Sequence, residues 1–525
     1  MNNTRTRTVT RRALLGAAAL SISALALTAC AGGGGAAAGA GSADKVLNIS
    51  NTFAPVSMDP AFSGNGRAGS MLQPAYEPLV RTTADGELEP ALAESWKMSA
   101  DNKSVTFTLR QDAAFSDGEP VNAEAAKKSI EYWANAGGPF SVNLANLDEV
   151  VVDGEYEFTV KLTQPNPDVA SVFNTYWLAG DLISPKALED PKQLTTKTFG
   201  AGPYVLDEAA TISGKTYTYV PNEHYYDQQD ISWDKVVISV YEDQNSAIQA
   251  FKTGQLDLMV SDPVTGNANK DQLGEGQRIV SDPVQWSGLI LLDRDGETNE
   301  PLGNLKVRQA INHALDRELI TTALFGDFGT PTSQLQVEGF AGYDAANDGK
   351  YAYDPEKAKS LLAEAGYPDG LTIDVGYVNN TLNATQAQAM AGQLEKVGIT
   401  LKFTEWQNLG ELQTATNQNE VGAIIAQSNS GAPFMAKFQT LDPEGSYNTF
   451  HSENPELTRL IETAAAKPAG QAEEDWKAVH AKVTDLAWFG ITSALNVTYF
   501  VGNGVQVPEP GQSLIIDMAE IKPAS

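Results

Sequence analysis

Cysteine is nearly absent from this chain: Cys30 is the only one in 525 residues. No disulfide can form within one copy, so the fold must rest on burial alone. Histidine is scarce as well. His224, His313, His451 and His480 lie far apart, with neither HExxH nor HxxxH spacing, so the sequence carries no zinc signature. Positive charge is short, 36 Lys and Arg against 66 Asp and Glu, for a net charge of −30. Such acidity argues against nucleic-acid binding, which needs a basic surface to displace counterions. It also disfavours electrostatic docking on anionic lipid. Past residue 29 no segment approaches the roughly 20 apolar residues that a spanning helix needs. There is no GxSxG nucleophile elbow, and no local pair of carboxylates marks a hydrolytic site. The sequence shows no positive sign of catalysis, and no cofactor or metal is expected.

What is present begins at the N-terminus. Arg5, Arg7, Arg11 and Arg12 precede an uncharged stretch over residues 13–29, which ends in Leu27-Thr28-Ala29-Cys30. A basic start, a short apolar run and small residues at a cleavage point make a secretory signal. Cysteine directly after them resembles a bacterial lipobox, in which the thiol is lipidated and becomes the mature N-terminus. A buried structural cysteine is the usual alternative, but the surrounding Ala and Gly build no core. Thr10-Arg11-Arg12-Ala13-Leu14-Leu15 also resembles a twin-arginine signal, and both export routes stay open. The run 31–42 is almost entirely Gly and Ala, the composition of a flexible tether. The expectation is a signal peptide over 1–29 and a lipidated tether over 30–43. The protein is then extracytoplasmic, anchored as a lipoprotein to the outer face of the cell membrane. Removing 1–29 takes four arginines and no acids, leaving the mature chain at −34.

The remaining body exceeds one hydrophobic core, so two or more lobes are expected. Residues 105–109 and 156–162 alternate with the strand period of two. Between them Asn122 caps a helix carrying Ala126, Ile130 and Trp133 at helical spacing. The stretch 81–196 therefore reads as an α+β insert with antiparallel strands. Strands dominate 200–295, at 216–220, 236–241 and 288–293, with one helix over 245–253. The stretch 300–428 alternates helices with strands. Asn304 caps the first helix, with Val307, Ile311, Ala314 and Leu315 along one side, and Asp354-Pro355-Glu356 starts another. Strands follow at 372–378, 400–406 and 422–427, with a helix over 385–396. Such alternation favours a parallel sheet with helical crossovers.

Several local motifs have a plainer explanation than chemistry. Gly64-Asn65-Gly66-Arg67-Ala68-Gly69 matches GxGxxG but follows the turn-like Asp59-Pro60-Ala61-Phe62 instead of a strand. Gly214-Lys215-Thr216 lacks the first glycine of a phosphate loop and reads as a turn. Asp293-Arg294-Asp295-Gly296-Glu297 has its glycine too early for a calcium loop and reads as a surface turn.

A series of segments in order carries more weight. They are Met58-Asp59-Pro60-Ala61, Tyr76-Glu77-Pro78-Leu79-Val80 and the run 86–96 ending in Ser95-Trp96. Thr106-Phe107-Thr108-Leu109-Arg110 and Phe115-Ser116-Asp117-Gly118-Glu119-Pro120-Val121 follow. Last come Gly200-Ala201-Gly202-Pro203-Tyr204, Val307-Arg308-Gln309-Ala310-Ile311 and Tyr353-Asp354-Pro355-Glu356-Lys357-Ala358. Together they resemble solute-binding protein family 5 of ABC importers, which includes peptide- and nickel-binding proteins, from about residue 45 to the C-terminus. The resemblance implies an α/β, two-lobed, hinge-closing binding protein of the periplasmic binding protein-like type II. An extra α+β subdomain is inserted in the first lobe. Its boundaries fall at 44–80 with 197–295 and 495–525 for lobe 1, 81–196 for the insert and 296–494 for lobe 2. The function implied is capture of a small organic solute, peptide or peptide-like, and delivery to ABC permease subunits by a monomer. An extracellular hydrolase or a ligand-sensing receptor on the same scaffold is the alternative.

Most of these segments read as structure. Ser95-Trp96 packs a loop against the insert, Phe115-Ser116-Asp117-Gly118 is turn chemistry, and Arg308 reads as a surface ion-pair partner. Peptide-binding relatives carry an aspartate after the strand ending here at Gln427, and it pairs with the peptide's α-ammonium. This chain has Ser428-Asn429-Ser430-Gly431-Ala432-Pro433-Phe434 instead, with no acid before Asp442. The expected ligand contacts are Ser428, Asn429 and Phe434 on that loop. Trp286, Trp177, Phe53, Met58 and Trp406 join them as aromatic or soft side chains suited to a concave solute site; core packing is the competing reading for each.

Overall fold

Two long antiparallel strands, Arg278–Leu291 and Phe489–Val501, run side by side through the middle of an eleven-stranded mixed sheet. The computed structural model describes residues 45–63, 69–431, 437–468, 470–512 and 515–524. The expected signal peptide, the tether, Cys30 and most of the glycine-rich motif at 64–69 lie outside the described residues.

The long strands change neighbours along their length. Near their outer ends, Thr498 to Val501 pair with strand Leu258–Ser261. That strand borders Val46–Asn51, which pairs in parallel with Lys235–Val240. Beyond the middle, Gln285 to Leu291 pair with strand Ala423–Asn429. That strand lies parallel to Leu371–Val378, itself parallel to Ile399–Trp406. The sheet therefore has two halves joined by two shared strands, and the register slips between Pro283 and Gln285 where the halves meet. Proline removes a ladder donor, so its place at a bulge is where a strand tolerates it. The expected strand over 288–293 thus overlaps, through 291, the inner end of a fourteen-residue strand. A second slip falls between Ser287 and Gly288.

The helical expectations hold where capping chemistry was explicit. Asn122 accepts from Ala125 N–H at 3.0 Å and starts helix Ala123–Asn135. Asp354 accepts from Lys357 N–H at 2.9 Å and starts Pro355–Glu364. Helix Ala123–Asn135 buries Ala126, Ile130 and Trp133 against a separate antiparallel sheet. That sheet runs in the order Ala93–Met98, Ser104–Leu109, Glu157–Leu162, Leu147–Val152. Phe107 stacks on Phe158 at 5.4 Å at its centre.

Three local expectations need correction. Trp96 lies in a strand, not a loop, with Phe107 as its cross-strand partner. Arg308 is buried at 6 % exposure and pairs with no carboxylate; it donates to the carbonyls of Leu302, Arg294 and Leu486. Its helix packs inward on the side the polar pattern assigned to solvent. Of the expected surface turn Asp293-Arg294-Asp295-Gly296-Glu297, Asp295 and Glu297 are exposed, but Asp293 and Arg294 are buried. Asp293 is fully buried because its carboxylate accepts from the backbone N–H groups of Glu297, Thr298 and Asn299 at 2.6 to 2.8 Å. Three donors meet the desolvation cost of one carboxylate.

The Gly200-Ala201-Gly202-Pro203-Tyr204 run has a steric cause. Gly202 N–H donates to Ala75 O at 3.0 Å, and a Cβ at Gly200 would stand 2.3 Å from that same oxygen. Only glycine lets this segment lie against the chain at Ala75-Tyr76.

Candidate functional site

The site grows from the place where the two halves of the sheet meet. Strand Ala423–Asn429 sets Ser428 opposite Trp286 and Asn429 opposite Gln285, beside the bulge. Trp286 is 3 % exposed and meets Phe489 of the second long strand edge-on at 5.6 Å. Ser428 Oγ donates to Gln439 Oε1 at 3.2 Å. Asn429 Oδ1 is buried and finds no hydrogen-bond partner among the described residues, beside Trp286's neighbour in the ladder. Ser430 N–H donates to Val284 O at 2.8 Å and fixes the start of the loop to the bulge itself.

Below this row a chain of neutral polar groups crosses the sheet. Gln427 Nε2 donates to Asn383 Oδ1 at 2.7 Å, Ser287 Oγ to Gln386 Oε1 at 2.7 Å, and Gln386 Nε2 to Thr492 Oγ1 at 2.8 Å. Every member is uncharged, so the network holds orientation without adding a field. An ion pair nearby is internal: Lys437 Nζ lies 3.3 Å from Asp442 Oδ2 on the turn after the loop. Arg294 lies over the Trp488 ring at 4.2 Å and donates to the carbonyls of Leu291 and Thr440. Burial, then Arg308, holds its guanidinium down to about 9.

Of the eight expected contacts, Trp286, Ser428 and Asn429 come together by register. Phe434 lies outside the described residues. Trp177 is 6 % exposed and meets Tyr176 edge-on at 4.7 Å and Phe140 at 5.4 Å. It belongs to the same contiguous apolar cluster as Trp286. Met58 is buried in a different cluster, below the strands of the first half, and Phe53 is half-buried. Trp406 covers Gly376 on the adjacent strand, where a Cβ would meet its ring at 2.0 Å. Sequence reasoning missed the aromatic neighbours Tyr176, Phe140 and Phe489, which no local pattern marks.

Asp59 adds a charged feature on the other side. It is 3 % exposed and accepts from Tyr132 Oη at 2.5 Å and from Ala61 N–H at 2.9 Å. Burial raises its carboxyl above the usual range despite these two bonds. No group of three or more His, Cys, Asp or Glu side chains capable of holding a metal occurs among the described residues. A cavity of about 60 Å³ lies elsewhere, between Gln73, Asn174 and the C-terminal residues Asp517 and Glu520. None of the eight expected contacts lines it, and it is far below the several hundred Å³ an organic solute fills.

Comparison with known proteins gives this geometry its setting. The nickel-binding periplasmic protein of Escherichia coli strain K12 is 29 % identical over 399 residues, covering 68 % of this chain and 70 % of that one. The dipeptide-binding protein DppE of Bacillus subtilis strain 168 is 27 % identical over 457 residues, covering 81 % of each. The binding protein AgaA of A. tumefacien R10, solved with agropinic acid, superposes with a TM-score of 0.79. It is 21 % identical and covers 91 % of this chain and 99 % of that one. The fold is α/β and two-lobed, that of the hinge-closing type II binding proteins, with an α+β subdomain inserted in the first lobe. Residues 87–446 match the family described as bacterial extracellular solute-binding proteins, family 5. The chain belongs to family 5 of the bacterial extracellular solute-binding proteins.

Proposed function

We propose that this protein is the substrate-binding component of an ABC importer, not an enzyme. It captures a small organic solute between two lobes and delivers it to permease subunits as a monomer, tethered by a lipid on Cys30. The observation that carries this reading is the pair of long strands shared by both halves of the sheet, with a bulge where the halves meet. A bulge kinks a strand and interrupts its ladder, which suits a hinge whose closure the ligand stabilises. Lobe 1 is proposed as 44–80 with 197–295 and 495–525, the insert as 81–196 and lobe 2 as 296–494. Trp286, Ser428, Asn429, Phe434, Trp177, Phe53, Met58 and Trp406 are proposed as ligand contacts, the first three with the support of their shared register.

Two of these relatives are named for nickel and a dipeptide and a third was solved with agropinic acid, so ligand class must be argued from this chain's own groups. Residues 428–431 are neutral, and Asp442 already faces Lys437. A free α-ammonium buried there has no unpaired carboxylate to meet it, at a cost of several kcal/mol. The proposed ligand is therefore a neutral or differently charged solute, such as a sugar or a modified metabolite. A thermal-shift screen of peptides, oligosaccharides, opines and chelated metals tests this. A ligand at 100 times its Kd adds about 2.7 kcal/mol. Strong stabilisation by unmodified di- to pentapeptides, abolished by Asp442→Asn, would overturn the ligand assignment. Conversion of the hit compound during incubation would overturn the non-enzymatic reading.

A further inference from the structure

Asn102 stands out on the turn between strands Ala93–Met98 and Ser104–Leu109. Its φ is +55°, in the left-handed region that costs a side-chain-bearing residue conformational energy. The turn is locked around it. Ser99 Oγ accepts from Ser104 N–H at 2.9 Å, and Asp101 Oδ1 accepts from Ser99 Oγ at 2.7 Å. Asn102 is 2 % exposed on the edge of its own subdomain, and its amide is not used there. Nδ2 donates to Lys467 O at 2.9 Å and to Ala465 O at 3.2 Å, more than 360 residues away in the chain.

Ala465 closes helix Pro455–Ala465, and Lys467 lies just past its C-cap, Ala466. The last carbonyls of a helix lack intrahelical partners and carry the negative end of its dipole. The amide group of Asn102 supplies one donor to such a carbonyl, Ala465 O, and one to Lys467 O in the turn that follows. The helix turns Leu457, Ile461 and Ala464 into the apolar cluster that also holds Val105 and Phe107 of the adjoining strand. The charged side chains around the contact are committed otherwise, Lys467 to Asp475 and Lys103 to Thr163 O. In the proposed lobe assignment this contact joins the insert to lobe 2, away from the two strands that connect the halves. It rests on that reading of which parts move.

We infer that Asn102 is an affinity-setting positioning residue that touches no solute: its amide caps helix Pro455–Ala465 only when the lobes are closed, and so sets the share of closed molecules. Any ligand that binds the closed form then gains or loses affinity in proportion to that share. The backbone geometry provides a clean perturbation. Asn102→Gly keeps the left-handed turn at no steric cost and deletes only the amide. Asn102→Asp keeps the shape and sets a carboxylate against two carbonyl oxygens.

The test uses the full chain with Cys30→Ser and spin labels on Glu124→Cys and Arg459→Cys, both at exposed positions. Pulsed electron resonance then reads the distance across the contact. The parent should show a short, closed distance. In Asn102→Gly the closed-to-open ratio should fall about tenfold, the scale of the net worth of one or two hydrogen bonds, and it should fall further in Asn102→Asp. Circular dichroism melts of the two variants should stay within a few degrees of the parent. A parent without the closed distance, or identical distributions in all three chains, overturns the inference. Distances that respond to a solute from the thermal-shift screen but not to Asn102 sink the latch alone. Distances that respond to neither sink the hinge reading with it.

Discussion

Tyr132 Oη donates to Asp59 Oδ2 at 2.5 Å, tying the helix of the inserted subdomain to the segment just after the first strand. The approach is close along its length: a Cβ at Gly138 would stand 1.8 Å from Ala61 O. The Met58-Asp59-Pro60-Ala61 motif is therefore a clasp between two parts of the fold. Tyr132→Phe leaves Asp59 with a single backbone donor. It should cost about 1.5–3 kcal/mol, the worth of a hydrogen bond to a charged group, read as a shift in urea midpoint at unchanged m.

Asp181 shows the opposite situation. It is 2 % exposed, and neither carboxylate oxygen has a hydrogen-bond partner among the described residues. Burial, then Asp517 and Glu77, drives its carboxyl well above the usual range. The sign follows from proton linkage. The folded state holds this proton to higher pH than the unfolded chain does, so its contribution to stability is full below the ordinary carboxylate range and is lost as pH rises through the raised value. Asp181→Asn should stabilise the protein on the order of 1–3 kcal/mol at pH 8, with the gain shrinking towards pH 4. Thermal melts across that range decide it, and a gain independent of pH would be contrary to this account.

Gly288 sits at the second register slip, where a Cβ would meet Gly490 O at 2.4 Å and Ile491 Cα at 2.6 Å. Both neighbours are backbone of the other long strand and cannot swing aside. Gly288→Ala should lower stability by about 2 kcal/mol or more, as overpacking in a rigid interior does. It should also weaken binding of whichever solute the thermal-shift screen identifies, because the strands it separates are the proposed hinge. Calorimetry of the variant with that solute is the check; unchanged stability would show that the strands part more easily than the geometry implies.

Cys30→Ser should leave the protein without lipid and recovered in the soluble fraction or unprocessed. Membrane fractionation and fatty-acid labelling read this directly. Retention of the serine variant in membranes at the parent level would remove the lipoprotein reading.

Sequence legibility followed the range of the forces involved. Asn122 and Asp354 announced their helices because a cap is a contact over three residues. Strand 105–109 declared itself by alternation, and the structure places it at Ser104–Leu109. The long strand Arg278–Leu291 is expected from sequence only from Gly288 onward, since Ser281, Asp282 and Pro283 interrupt any local strand pattern. Tolerance for them comes from the bulge, and the bulge from a partner strand some 200 residues later. Arg308 and Arg294 looked like surface charges, since nothing local reveals the carbonyls of Leu302, Leu486 and Thr440 that receive them. The site divides the same way. The neutral loop at 428 was legible as composition, whereas its alignment beside Trp286 depends on cross-strand register, which no window of sequence contains.

The second long strand has a consequence for biogenesis. Phe489–Val501 pairs with residues 258–261, 278–290 and 329–331, all synthesised at least 150 residues earlier. The centre of the sheet stays open until this strand has been made. Closing such distant pairings is slow, because the chain loses loop entropy before the contacts reward it. The strand that completes the body therefore joins it late in folding. A truncation ending before residue 489 should remain protease-sensitive, while the full chain should resist digestion once this strand has joined the sheet.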